Sequence, residues 1–133
     1  MKNISKLIVS IASVLIGMLL MPMMLFAAEG MLTGTGTESD PYIINTVNDF
    51  GIIQDGIKSG KSYKNKYFRL ESDIKLPTDW KPLGMLKEGV TDAGNGRNIL
   101  PFSGILDGNG HTLTFSKGSK PLFGYVRDAK VEN

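Results

Sequence analysis

The chain has 133 residues, with 15 Lys and Arg, 13 Asp and Glu, one histidine and no cysteine. The lack of cysteine excludes a disulfide framework and cysteine-based zinc sites. All 13 acidic residues and 13 of the 15 basic residues lie in 29–133, so this part is formally neutral and lacks the basic footprint expected of a nucleic-acid-binding protein.

The first 28 residues have the pattern of a secretory signal peptide. Lys2 and Lys6 give a positive start, and a helical apolar run from Leu7 to Ala28 follows. We expect the signal to be removed at the end of this run. The run is also long enough to span a bilayer, which takes about 20 residues, so an uncleaved N-terminal anchor is the alternative. In both cases residues 29–133 are predicted to be exported, either secreted or at the cell surface.

A short amphipathic helix is predicted after the β-prone run Tyr42–Ile44. Thr46 is followed three residues later by Asp49, which is typical of a helix N-terminus with an acid in its first turn. Gly60 is a stop signal. Two glycines inside the segment, at 51 and 56, weaken the prediction, because each costs about 1 kcal/mol relative to alanine. The apolar face consists of Val47, Phe50, Ile53 and Ile57.

Residues 66–76 give the clearest alternation in the chain. One face of the predicted strand carries Phe68, Leu70, Ile74 and Leu76, and the other carries Arg69, Glu71, Asp73 and Lys75. Pro77 ends the run, because proline cannot donate to a strand ladder. A rigid turn with one aromatic anchor is predicted at 80–84, and 87–98 is predicted to be a polar, flexible loop.

The most informative segment is FSGILDGNGHTLTF at 102–115. Two β-prone runs flank the turn Asp107-Gly108-Asn109-Gly110, and Asn-Gly pairs are typical of turns with positive φ at both central residues. Near the end of the sequence, Ala129 and Val131 share a face, which indicates the beginning of another strand.

Taken in order, these segments resemble the N-terminal end of secreted right-handed parallel β-helix proteins of Gram-positive bacteria, including surface proteins with the Gly-rich GLUG motif. The resemblance implies an all-β fold with one short capping helix, in which the strands form successive rungs of a solenoid. The similar stretches are GTGTESDPYIINTVNDF (34–50), YFRLESDIKL (67–76), WKPLG (80–84), FSGILDGNGHTLTF (102–115) and PLFGYV (121–126).

Residues 29–133 are therefore predicted to be the cap and first rungs of a right-handed parallel β-helix. Such repeats contact only their neighbours, and about three are needed for stability. The sequence supplies two turns and a fragment, which would leave an open strand edge. We expect the chain to be a truncated product of a longer solenoid; a partner that covers the open end is the alternative.

Several residues are candidates for chemistry. His111 directly follows the 107–110 turn and is predicted to be structural, since a catalytic role requires an adjacent nucleophile or oriented carboxylate. Glu71 and Asp73 share a strand face, as a glycosidase pair would, but alternate with basic residues, which indicates a solvated face. A calcium site would draw on Asp92, Asp107 and Asn109, although Asp and Asn are also expected at turns for backbone bonding.

The sequence predicts a non-enzymatic, adhesin-like surface module that needs no cofactor or metal and initiates a solenoid. Its expected partners are surface glycans or a host protein, through Trp80 and Tyr125, and no nucleic acid; membrane contact is expected only through the N-terminal segment. The sequence leaves the oligomeric state undetermined. Two alternatives remain: the front part of a polysaccharide-degrading β-helix enzyme, and a small carbohydrate-binding module that uses Trp80.

Overall fold

A computed structural model describes residues 30–133, and the signal peptide or anchor predicted for 1–28 lies outside them. The described part is a mainly β fold with one short helix, as the sequence predicted at this level. Its elements are β1 (Tyr42–Ile44), α1 (Val47–Lys58), β2 (Tyr67–Leu70), β3 (Ile74–Leu76), β4 (Met85–Leu86), a 3-10 turn (Gly94–Gly96), β5 (Ile99–Leu100), β6 (Ile105–Asp107), β7 (Leu113–Phe115) and β8 (Lys130–Glu132).

The N-terminus of α1 is fixed by one carboxylate. Asp49 Oδ2 accepts the backbone N–H groups of Asn45 and Thr46, both at 2.9 Å, and the Thr46 hydroxyl at 3.1 Å. Thr46 is extended and is the N-cap residue. A negative charge in the first turn also interacts favourably with the helix dipole. The predicted beginning of the helix is confirmed.

The C-terminus of α1 is closed by a glycine in the left-handed region. Gly60 has φ +96° and donates its N–H to the Ile57 carbonyl at 2.9 Å. The next residue, Lys61, donates to the Gly56 carbonyl at 2.9 Å. This is the pair of bonds of a Schellman motif, which satisfies two of the last helical carbonyls. The predicted stop at Gly60 is confirmed.

The main sheet is parallel and has the strand order β1-β2-β6-β8. Phe68 on β2 is opposite Tyr42 on β1 and Leu106 on β6, and Leu106 is opposite Val131 on β8. A second parallel pair, β3–β7, aligns Ile74 with Leu113. Isolated parallel bridges, Leu83 to Phe123 and Phe102 to Val126, align two further points of successive passes. In each of these pairs the later segment lies beside the earlier one and runs in the same direction. We call each such segment a pass, and the stretch of chain from one position to its partner in the next pass a circuit.

One circuit is longer than the others. Paired positions are 26 residues apart from Tyr42 to Phe68 and 25 apart from Ile105 to Lys130, but 38 apart from Tyr67 to Ile105. The long circuit contains β4 and β5, which pair with each other antiparallel. The loop predicted at 87–98 therefore connects the strands of a hairpin that is inserted between two passes.

The core is shared between circuits. The predicted inward face of 66–76 is confirmed, because Phe68, Leu70, Ile74 and Leu76 are at most 4% exposed. A column of aromatic rings runs along the stack, with centroid distances of 5.3 Å from Tyr42 to Phe68, 5.5 Å from Phe68 to Phe102 and 5.4 Å from Phe102 to Phe123. Such tilted arrangements add stabilisation beyond the buried area.

The structure modifies two of the strands predicted from the sequence, the one at 66–76 and the terminal one. The run 66–76 is divided into β2 and β3 by a bend at residue 72. Glu71, just before the bend, still donates its N–H to the Ile44 carbonyl at 3.0 Å, as the parallel ladder with β1 requires. The predicted terminal strand is present as β8, but Val131 is 60% exposed. Its parity matches that of buried Leu106, the residue it faces on β6.

Candidate functional site

The turn singled out by sequence joins β6 to β7, which belong to different sheets. Asn109 and Gly110 have φ of +50° and +72°, and Asp107 Oδ1 accepts the Asn109 N–H at 2.8 Å. His111 donates its backbone N–H to the Gly108 carbonyl at 2.8 Å. The aspartate thus replaces a backbone acceptor inside the turn, which is the usual role of Asp in such geometry.

Side chains connect this turn to its neighbours in the stack. Asn109 donates from Nδ2 to the Leu70 carbonyl at 3.0 Å, which ties the β6–β7 turn to the end of β2. A Cβ on Gly108 would overlap the carbonyl of Asn133 in the following pass. Only glycine permits this close backbone approach. The turn is therefore a spacer that sets how closely successive passes lie.

His111 is paired with a carboxylate from the preceding pass. Its Nδ1 lies 3.2 Å from Asp73 Oδ1, and the same oxygen accepts the Thr112 N–H at 2.8 Å. The Thr112 backbone N–H, followed by the hydrogen bond to His111, lowers the pKa of Asp73. Asp73 is thereby engaged in holding two passes together, although its side chain is exposed. Glu71, the other carboxylate considered for hydrolysis, is also exposed.

The outer face of the main sheet carries a second inter-strand pair. Arg69 Nε lies 3.4 Å from Asp107 Oδ2, in register between β2 and β6. The Asn109 backbone N–H is the main cause of a lowered pKa at Asp107, with smaller contributions from the amide of Asn133 and from Arg69. Because both side chains are partly exposed, the pair contributes alignment more than free energy.

The residues considered for calcium are not brought into one site. Asp92 Oδ1 accepts the Gly94 N–H at 3.0 Å, a local bond within the hairpin connection, whereas Asp107 serves its own turn. Within residues 30–133, no group of three or more His, Asp or Glu side chains is arranged to hold a metal ion.

The two aromatic residues predicted to bind a ligand have different environments. Trp80 is 6% exposed, packs edge-on against Phe50 with a centroid distance of 5.8 Å, and donates from Nε1 to the Pro121 carbonyl at 3.1 Å. Tyr125 is half-buried, and its carbonyl accepts the Phe102 N–H at 2.9 Å. Ligand binding by these residues stays a prediction, and the burial of Trp80 leaves little of its ring available for stacking.

A surface that the sequence reasoning missed lies beside the C-terminus of α1. Three neighbouring depressions meet at Lys61 and Tyr63, and Lys64 and Lys66 border one of them. Burial, and secondarily the nearby Tyr42, raises the pKa of Tyr63. The signal was the run KSYKNKY at 61–67, which places three lysines and two tyrosines within seven residues. No helix within the described part, 30–133, is long and apolar enough to cross a membrane.

Comparisons with known proteins give one informative similarity. Over an alignment of 89 residues the chain is 36% identical to Halomucin from Haloquadratum walsbyi, and the alignment covers 64% of the present chain but only 1% of Halomucin. The chain thus corresponds to a very small part of that protein. No family model matches the chain, and no solved structure matches it. The GLUG-type β-helix family therefore stays a prediction.

Proposed function

We propose that the chain is a non-enzymatic module of an exported, adhesin-like surface protein, which caps and initiates a right-handed parallel β-helix. The observation that supports this most directly is the parallel register of β1, β2, β6 and β8. Inward residues of one pass lie on inward residues of the next, as Phe68 does on Leu106. Right-handed connections between parallel strands are the rule, which supports the proposed handedness.

The helix α1 has the properties of a cap for such a stack. It follows β1, the first strand of the main sheet, and buries Phe50, Ile53 and Ile57 to 1% exposure or less. Gln54, on the same helix, is 8% exposed, and its Oε1 accepts the Gly84 N–H at 3.2 Å. A helix in this position covers apolar side chains that a further pass would otherwise have to cover, as terminal repeats do in solenoids.

The proposed location outside the cell rests on the leader pattern of residues 1–28. The similarity to Halomucin is consistent with a modular role, because a matched segment that makes up 1% of a protein is a small unit of a very long chain. We propose that surface glycans or a host protein are bound through exposed outer faces of such a solenoid.

The strand register can be tested by engineered disulfides, because the chain has no cysteine of its own. Lys75 and Thr114 are exposed and directly opposite in the β3–β7 pair. Neighbouring strands are about 4.8 Å apart, within disulfide reach. We expect the K75C/T114C variant to form an intramolecular disulfide readily under mild oxidation.

The matched control is K75C/T112C, in which the second cysteine is two residues out of register. Faster or equal cross-linking of this control would contradict the parallel stack. Depolymerisation of a polysaccharide by the purified protein would overturn the non-enzymatic part of the proposal, independently of the cross-linking result.

A further inference from the structure

We propose that the outer face of the main sheet carries a groove that binds one ring of a neutral glycan. The groove lies over β2 and β6. Its lining includes Glu38, Pro41, Tyr67, Arg69, Asp107 and Glu132. This inference rests on the proposed binding of surface glycans and assigns a site to it, away from the two aromatic residues that the sequence predicted for a ligand.

The parallel register divides the outer face into two rows of different chemistry. Phe68 and Leu106 are buried on the inner face, so their neighbours along each strand are directed outward. One row contains Tyr67 on β2 and Ile105 on β6, which are opposite each other and partly buried. The adjacent row consists of charged residues in register, namely Arg69, Asp107 and Glu132. An apolar row thus lies directly beside a charged row.

This arrangement matches the two kinds of surface on a sugar ring. A pyranose has a face of C–H groups, which packs on aromatic and aliphatic side chains, and a rim of hydroxyl groups, which donate and accept hydrogen bonds. Tyr67 and Ile105 supply the apolar contact. Arg69 supplies N–H donors, and the carboxylates of Asp107 and Glu132 supply acceptors beside it. Small-ligand sites commonly combine apolar surface with a few polar groups that fix the orientation of the ligand.

The charges of the groove compensate one another, which favours a neutral ligand. Arg69 Nε lies 3.4 Å from Asp107 Oδ2, and Lys130 forms an ion pair with Glu132 on β8. Glu132, and to a smaller extent Glu38, raises the pKa of Lys130, so both carboxylates act on the same ammonium group. The described residues at the groove thus include two cations and three carboxylates. A polyanion would be repelled by the carboxylates, and a polycation would have to compete with the cations already paired there.

Main-chain hydrogen bonds hold the rim of the groove in place. The loop that carries Glu38 is closed by the Asp40 carbonyl, which accepts the Gly36 N–H at 2.9 Å. Tyr67 donates its own N–H to the Gly36 carbonyl at 3.1 Å, so this loop is attached directly to the beginning of β2. A preformed site loses less conformational entropy on binding than a site that the ligand must order.

Saturation-transfer difference NMR of the full chain in phosphatidylcholine nanodiscs tests the site. The probes are cellotetraose, mannotetraose and chitotetraose, which are neutral oligomers of glucose, mannose and N-acetylglucosamine. At least one of them should receive saturation, most strongly at the C–H protons of one ring face. The dissociation constant should be on the order of 1 mM, as expected of an open site that contacts a single ring. Absence of transfer to all three probes would overturn the proposal.

Variants locate the binding on the protein. Tyr67→Ala should weaken binding about tenfold through loss of the stacked ring, whereas Tyr67→Phe keeps the ring and should retain binding. Arg69→Gln should also weaken binding about tenfold or more, because a charged hydrogen-bond donor is lost. Matched controls are Phe115→Ala, at an exposed aromatic residue of β7, and Arg97→Gln, at an exposed arginine in the hairpin connection. Both controls should bind as wild type.

Unchanged binding in both Tyr67→Ala and Arg69→Gln would overturn the groove. Loss of binding in Tyr125→Ala but not in Tyr67→Ala would also overturn it, while leaving the proposed glycan-binding function in place. Binding of tetralysine, with no transfer to the sugars, would assign the groove to a basic peptide instead. Cross-linking of K75C/T114C reports on the parallel stack without any sugar, so failure of the groove and failure of the proposed module are distinguishable.

Discussion

Substitution by alanine should have opposite effects on stability at two glycines of α1. Gly51 has open space where a Cβ would lie, whereas a Cβ on Gly56 would overlap the Tyr63 hydroxyl and come within 2.8 Å of Cζ. Alanine at position 51 should stabilise the fold by about 1 kcal/mol, the full difference in helix propensity. Alanine at position 56 gains the same propensity but displaces Tyr63, and such overpacking costs about 1–3 kcal/mol.

We therefore expect G51A to raise the free energy of unfolding by about 1 kcal/mol and G56A to lower it by about 1 kcal/mol. For a domain of this size the two midpoints of thermal unfolding should differ by on the order of 10 °C. Equilibrium urea unfolding followed by circular dichroism gives both values. The double variant G56A/Y63F supplies an internal check, because removing the hydroxyl relieves the closest overlap, so Y63F should cost less in the G56A background than in the wild-type protein. Equal stabilisation by both alanines would refute the proposed packing of Tyr63 on α1.

Three further outcomes follow from the core and the inter-strand pairs. Phe68→Ala, at a site 1% exposed, should destabilise the fold by about 3–5 kcal/mol in urea unfolding, and a loss below 1 kcal/mol would contradict a shared aromatic column. Because the pKa of Asp73 is lowered in the folded state from 3.8, its stabilising effect is present above that value and is lost as the pH falls below it. Asp73→Asn should accordingly flatten the acid limb of a plot of stability against pH, and an unchanged limb would argue against the bond to Thr112. Trp80 is the single tryptophan, so native fluorescence should resist aqueous quenchers and become quenchable on unfolding; strong quenching of the native protein would place its ring at the surface.

The sequence predicted features that depend on local spacing. Alternation in 66–76 identified the inward residues, and the positions of Thr46, Asp49 and Gly60 identified the bounds of α1. These signals depend on residues close together in the chain. The bend that divides β2 from β3 was missed, because alternation of inward and outward residues continues through it.

Features that depend on contacts between circuits could not be predicted in this way. Asp73 is exposed, as the prediction of a solvated strand face implied, but its bond to the Thr112 N–H, 39 residues away, was not predicted. The strands β4 and β5, on either side of the loop predicted at 87–98, were missed, because strands of two residues have no period to detect. The surface at Lys61 and Tyr63 also becomes apparent only when Gly30, Met31 and Lys61 are found around one depression.

The inserted hairpin has a practical consequence for engineering. Its strands pair with each other, and the passes before and after it remain in register although the circuit is longer. The closure entropy of a loop increases only slowly with its length. The connection at 87–93 is thus a suitable insertion site. A foreign epitope or affinity peptide can be inserted there while the parallel pairing of β2 with β6 keeps its register.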